Sequence, residues 1–183
     1  MELIRFDGDI EHFTAQPVTI QYSDSTGTQR CYTPDGLIVF KRSNSFPLEP
    51  ILYEVKYRED FRNQWRELLP KFRAAKNFCI KNGWRFHIYT EKEIRTHYLL
   101  NIKFLWPYRE REVSKDLRSL ILRTLWDLDE SDPDLLIHAI YRDPNNRAQL
   151  IPALWHLISI GAIGCNLDIP LKMNSPIWAL QEP

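Results

Sequence analysis

Two short strings hold the residues in this chain best suited to chemistry. Tyr32-Thr33-Pro34-Asp35 runs into Gly36-Leu37-Ile38-Val39-Phe40, and Ile51-Leu52 leads into Tyr53-Glu54-Val55-Lys56. Each sets ionisable groups into an apolar, strand-forming run. A carboxylate there is costly to desolvate unless something cationic meets it. Asp35 and Glu54 on adjacent strands would satisfy that condition by holding a divalent metal. They offer the hard oxygens that Mg²⁺ takes beside waters and substrate phosphate, and Mn²⁺ accepts the same donors. The backbone carbonyl of Val55 is a further candidate ligand. Glu54 and Lys56 are two residues apart, so on a strand they point to one face. Lys56 is thereby placed to position a metal-bound water, assist its deprotonation or neutralise a phosphate. The predicted catalytic residues are Asp35, Glu54 and Lys56; the predicted metal ligands are Asp35, Glu54 and Val55. Glu-x-Lys alone would equally suit a solvated strand face. The Pro-Asp entry, the apolar flanks, the strand-strand-helix context and Lys56 together favour a metal site with a lysine beside it.

The elements that must position these groups follow from local pattern. Residues 17–22 read as a strand, Ser23 to Gly27 as a turn, and Thr28 to Thr33 as the returning strand of a hairpin. Further strands are expected over Asp35 to Phe40, broken by Ser43-Asn44-Ser45-Phe46-Pro47, and over Ile51 to Tyr57. Asp60 is the expected N-cap of a long helix with Phe61, Trp65, Leu68, Phe72, Ala75 and Cys79 on its inner face. Pro70 should kink or split that helix, and Asn82-Gly83 should end it before a strand over Trp84 to Tyr89. Arg62, Arg66, Arg73 and Lys76 recur on roughly one helix face and are the candidate DNA contacts, meeting phosphates near the metal. Trp65 and Phe72 are expected in the core.

The second half differs in character. Ser114 to Leu128 is amphipathic, with Leu117, Leu120, Ile121, Leu125 and Leu128 on one face. Asp132-Pro133-Asp134 starts a helix through Tyr141, and Asn146 is the expected cap of another from Arg147 to Ile160, closed by Gly161. A short strand near Ala162 to Asn166 and a run at Ile177 to Leu180 complete a winged-helix order. Residues 94–107 are expected to connect the halves, which gives domains at 1–110 and 111–183.

Bulk numbers agree with two small folded units. The chain has 183 residues, 44% hydrophobic, 13% aromatic, and a net charge of zero. That composition excludes a disordered chain. Residues 1–111 carry 18 of the 24 Lys+Arg and 14 of the 24 Asp+Glu, so the first part is basic and the remainder acidic. Opposite signs suggest different partners. Cys31, Cys79 and Cys165 lack metal spacing and suit a reducing cytoplasm, while no run reaches membrane-spanning length.

The run from Phe6-Asp7-Gly8-Asp9 to Gln16-Pro17, the Tyr32-Thr33-Pro34-Asp35 string and Glu54-Val55-Lys56-Tyr57-Arg58 resemble the TnsA endonuclease subunit of heteromeric, Tn7-like transposases, within the PD-(D/E)xK superfamily. Leu150-Ile151-Pro152-Ala153-Leu154-Trp155-His156-Leu157 and Ser175-Pro176-Ile177-Trp178 resemble that family's tail. The resemblance implies an α/β (α+β) fold, with a restriction-endonuclease-like core and a C-terminal winged-helix-like helical domain. It implies a Mg²⁺-dependent endonuclease that cuts the 5′ ends of a transposon. Its implied partners are DNA, a TnsB-like DDE transposase and a TnsC-like AAA+ regulator. By position Asp35 would be the metal-binding aspartate, Lys56 the catalytic lysine and Glu54 the central acidic residue. The family's earlier helical glutamate would fall upstream of Leu3 to Asp7, with Glu2 as a substitute. Two alternatives stand beside this reading: a non-catalytic assembly subunit, or a stand-alone restriction- or repair-type nuclease.

Overall fold

The computed structural model describes residues 2–41 and 48–180. The turn expected at Ser43 to Pro47 lies outside the described residues. Contacts divide the chain between Arg95 and Thr96 into two compact units, each mixed α/β in content.

The first unit contains α1 (Glu2–Phe6), β1 (Ile10–Ala15), β2 (Ile20–Ser23), β3 (Gln29–Tyr32), β4 (Gly36–Phe40), β5 (Ile51–Val55), α2 (Arg58–Asn82), β6 (Arg85–Tyr89) and α3 (Glu91–Ile94). Its main sheet has the order β1-β4-β5-β6, antiparallel except for the parallel β5–β6 pair that α2 connects. The hairpin β2–β3 forms a separate ribbon. The edge strand β1 is the sheet element of this unit that pattern reading missed. Ile10-Glu11-His12-Phe13 alternates poorly, and the register shifts between Ile10 and His12. A bulged edge strand gives up the clean period of two.

The core explains why α2 lies over the strands. Leu68, Phe72, Ala75 and Cys79, spaced by four, three and four, are buried against Leu37 and Leu52 of the sheet and Ile20 and Tyr32 of the ribbon. Leu52 is fully buried, and each such aliphatic side chain contributes about 1.5–3 kcal/mol by leaving water. Two expectations for this helix are corrected. Asp60 is not its cap: the helix begins at Arg58, whose backbone N–H donates to the Glu91 carboxylate at 3.0 Å. Asp60 sits instead in the first turn, where a negative charge meets the helix dipole. Pro70 does not split the helix either, because the packed Leu68–Phe72 stripe carries it through to Asn82. Gly83 closes it at φ 67°, as Asn82-Gly83 led one to expect.

Burial also sorts the thiols. It pushes Cys79 and Cys165 up to about 11, while Cys31 is exposed on β3. A dithiobis-nitrobenzoate titration at pH 8 should therefore label Cys31 within seconds, and Cys79 and Cys165 only after denaturant is added. Immediate labelling of all three would contradict the packing of α2.

The second unit holds α4 (His97–Leu105), a 3₁₀ turn at Trp106–Tyr108, α5 (Lys115–Leu128), β7 (Glu130–Ser131), α6 (Pro133–Ile140), α7 (Pro144–Ser159), β8 (Ile163–Cys165) and β9 (Ile177–Ala179). Its small sheet has the order β7-β9-β8. Leu150, Leu154, Leu157 and Ile158 of α7 are buried, as are Ile121, Leu125, Leu136 and Ile102 from the other helices. The cap of α7 is Asp143, accepting from the N–H groups of Asn145 and Asn146, and Pro144 takes the first turn, so Asn146 is a helical residue rather than the cap. On α5 only Ile121 and Leu125 of the expected apolar face are buried; Leu120 and Leu128 are exposed. The stretch expected to connect the halves contributes here: α4 packs on α7, and its buried Asn101 bonds to the backbone of Leu167, Ile169 and Leu171. No helix among the described residues is long and apolar enough to cross a membrane.

Candidate active site

The site is built at the C-terminal end of β5. Period-two alternation turns Leu52 and Glu54 toward α2, and Tyr53 toward the opposite face. Glu54 is only 3% exposed. Its Oε2 accepts a hydrogen bond from the Tyr32 hydroxyl at 2.8 Å. Its Oε1 lies 3.0 Å from Lys56 Nζ and 4.0 Å from Lys71 Nζ. Both carboxylate oxygens are thus engaged, which offsets a desolvation cost that an unpaired buried carboxylate could not bear. Lys56 follows β5 directly, its N–H still bonded to the Tyr89 carbonyl, and two residues from Glu54 it reaches that carboxylate on its own face.

Asp35 stands immediately before β4. The β4–β5 register pairs Gly36 with Tyr53 and Leu37 with Leu52, so one further step sets Asp35 opposite Glu54. Asp35 is exposed, and its Oδ2 accepts from the Val55 backbone N–H at 2.6 Å. The neighbouring ladder fixes which way Val55 faces. Arg85 N–H donates to the Pro50 carbonyl and Lys56 N–H to the Tyr89 carbonyl, so residues 50 and 56 turn their peptide groups to β6. Odd-numbered residues of the strand then face β4, and the Val55 carbonyl emerges on the Asp35 side. The arrangement thus brings Asp35, Glu54, Val55 and Lys56 to one strand end.

Two residues join this group that the pattern reading gave no role. Tyr32 was within a highlighted string, yet only the fold brings its hydroxyl to Glu54. Burial, then the bond to Glu54, raises its pKa far above the ordinary tyrosine value. Lys71 comes from α2, between Leu68 and Phe72 on the buried stripe, with 20% of its side chain exposed. Its ammonium lies 5.1 Å from the Tyr32 ring centre and 5.5 Å from that of Phe72. Burial lowers its pKa, while Glu54 pulls the other way. A lysine on an apolar helix face was the available signal, since unpaired lysines are seldom buried.

The four predicted DNA contacts do not behave alike. Arg62, Arg66, Arg73 and Lys76 are all exposed on α2. Arg66 and Arg73 line a groove of about 690 Å³ between α2 and the β2–β3 ribbon, together with Tyr22, Trp65 and Asn77. Arg62 and Lys76 lie outside that lining. Trp65 is not a core residue: it is 46% exposed, with the Arg66 guanidinium 5.5 Å from its ring. Phe72 is buried, as expected.

The donors suit a hard divalent cation in kind, being two carboxylates and a carbonyl at one strand end. Among the described residues, no group of three or more His, Cys, Asp or Glu side chains converges. Both lysine contacts fall on Glu54, while Asp35 is held by the Val55 N–H.

Residues 7–91 match the family described as TnsA-like endonuclease N terminal. The matched stretch contains Tyr32, Asp35, Glu54, Lys56, Lys71 and the four exposed cations of α2. Among curated proteins none matches the chain.

Proposed function

We infer, from residues 7–91 being a TnsA-like endonuclease N-terminal domain, that the protein is the nuclease subunit of a Tn7-type transposition machine. The finer reading is a PD-(D/E)xK endonuclease that uses Mg²⁺ to cut the 5′ ends of the transposon. A TnsB-like DDE transposase cuts the other strands, and a TnsC-like AAA+ regulator docks on the C-terminal unit. The three helices α5 to α7 followed by β8 and β9 support a winged-helix-like reading of that unit. Its acidic balance suits protein contacts better than phosphate binding. Assigning cleavage to residues 1–110 and assembly to 111–183 belongs to the same proposal, as does a cytoplasmic location.

The observation that carries the reading is the joint presence of Asp35, Glu54 and Lys56 at one strand end. Asp35, Glu54 and the Val55 carbonyl are the groups that would hold Mg²⁺. When bound, the ion supplies a water of lowered pKa and offsets charge gathering on the phosphate. The protein's own residues do the rest. The Val55 N–H holds the Asp35 carboxylate in place, and Tyr32 fixes the second oxygen of Glu54. Lys56, paired with Glu54 and more exposed than it, would orient the attacking water and meet the scissile phosphate. Arg66, Arg73 and Trp65 would then take the flanking backbone along their groove, with Arg62 and Lys76 adding longer-range attraction.

The test is a nicking assay with linear DNA carrying the transposon ends, the purified protein and its transposase partner. Cleavage at the 5′ ends should appear with Mg²⁺ and vanish with chelator. Cleavage by the protein alone would favour a stand-alone nuclease. No cleavage in any combination would favour an assembly subunit.

A further inference from the structure

We propose that Lys71 is a positioning cation of the cleavage site: it holds Glu54 Oε1 until a metal is bound, and cedes that oxygen on binding. The inference rests on the metal-dependent reading above. Oε1 is the Glu54 oxygen that the ammonium groups contest, while Oε2 accepts from the Tyr32 hydroxyl. Oε1 is shared by two ammonium groups, from Lys56 just beyond β5 and from Lys71 on α2. The Lys71 contact is the longer, 4.0 Å against 3.0 Å, and so the weaker of the two. Lys71 also has a second resting place. The rings of Tyr32 and Phe72 lie within 5.1 and 5.5 Å of its Nζ, close enough to keep the ammonium favourably placed after Glu54 is given up. Its position is built in, for it lies on the side of α2 opposite Arg62, nine residues earlier, at 100° per residue.

A lysine that merely neutralised a buried acid would behave differently on removal. Acting only as a nearby charge, it would also strengthen uptake when lost, but by a gain that salt screens away. A lysine that occupies the metal's oxygen competes with it, so its loss must strengthen uptake. Calorimetric titration of the full chain with Mn²⁺ separates these outcomes. Lys71→Met should bind Mn²⁺ about 5- to 10-fold more tightly than the parent. Lys71→Arg should resemble the parent, and Lys81→Met, at the exposed end of α2, should change nothing. The gain should persist at 0.5 M salt, where charges beyond contact range are screened. Asp35→Ala should abolish uptake in every background. If the parent shows no Asp35-dependent uptake, the metal reading fails and this inference with it. If the parent binds, and Lys71→Met retains the parent's circular dichroism melt yet binds no more tightly, Lys71 is only structural.

Discussion

Lys56→Met is expected to lower the single-turnover rate of 5′-end nicking by about 100- to 1000-fold, the range for removing one charge-stabilising group from a preorganised site. Asp35→Asn should fall at least as far. The two substitutions act on different parts of the site. Asparagine keeps an oxygen for the Val55 N–H and nearly the shape of aspartate, so its loss reports charge at the metal position alone. Methionine keeps the Lys56 stem and removes only the ammonium. Glu54 then retains Tyr32 and Lys71, which is why the fold should survive the change. The signature to look for is a fall in kcat with little change in KM, since in the proposed roles both groups act on the reacting phosphate more than on bound DNA. Nicking within threefold of the parent by either variant, at unchanged melting temperature, would remove these residues from the mechanism.

How much of this was legible beforehand depends on which physical signal each residue carries. Glu54 and Lys56 could be placed on one face because a strand's period is fixed and their spacing is two. Asp35 could be placed beside them because Pro34 and Gly36 bracket a strand entry. Lys71 and the Tyr32 hydroxyl could not be found that way. Each meets Glu54 through a tertiary contact, across 17 and 22 residues of chain, that depends on how α2 and the ribbon pack. The same limit explains β1 and Trp65. An edge strand with a bulge lacks alternation, and an aromatic at helical spacing was assigned to the core although it borders a groove. Caps failed for a related reason. The first turn of α2 is satisfied by Glu91, 33 residues away, so the nearest local acid was the wrong choice. Local chemistry predicted what local geometry controls; the second layer of the site comes from packing.

That packing supports the last and strongest structural prediction, at Gly36. The residue is paired on both sides, with Ala15 of β1 and Tyr53 of β5, and it directly follows Asp35. A Cβ there would fall 2.5 Å from Phe13 Cε2 and 2.9 Å from both Cζ and the hydroxyl oxygen of Tyr53. Those two rings stack with centroids 6.2 Å apart, and the space between them exists because position 36 has no side chain. Valine would ordinarily favour a strand over glycine by up to about 1 kcal/mol. Here overpacking opposes it, at about 1–3 kcal/mol or more for a branched side chain forced against two rings. The backbone cannot retreat, since ladders hold it from both edges. Gly36→Val should therefore lower the urea midpoint by an amount equal to about 2 kcal/mol with an unchanged m-value. Adding Phe13→Ala removes the nearest ring, so the double variant should lose less than the two single losses combined. A Gly36→Val protein as stable as its parent would mean that the strand can shift, and a strand free to shift could not hold Asp35 opposite Glu54. The glycine thus bears on the candidate site as well as on stability, since it lies in the register that sets Asp35 opposite Glu54.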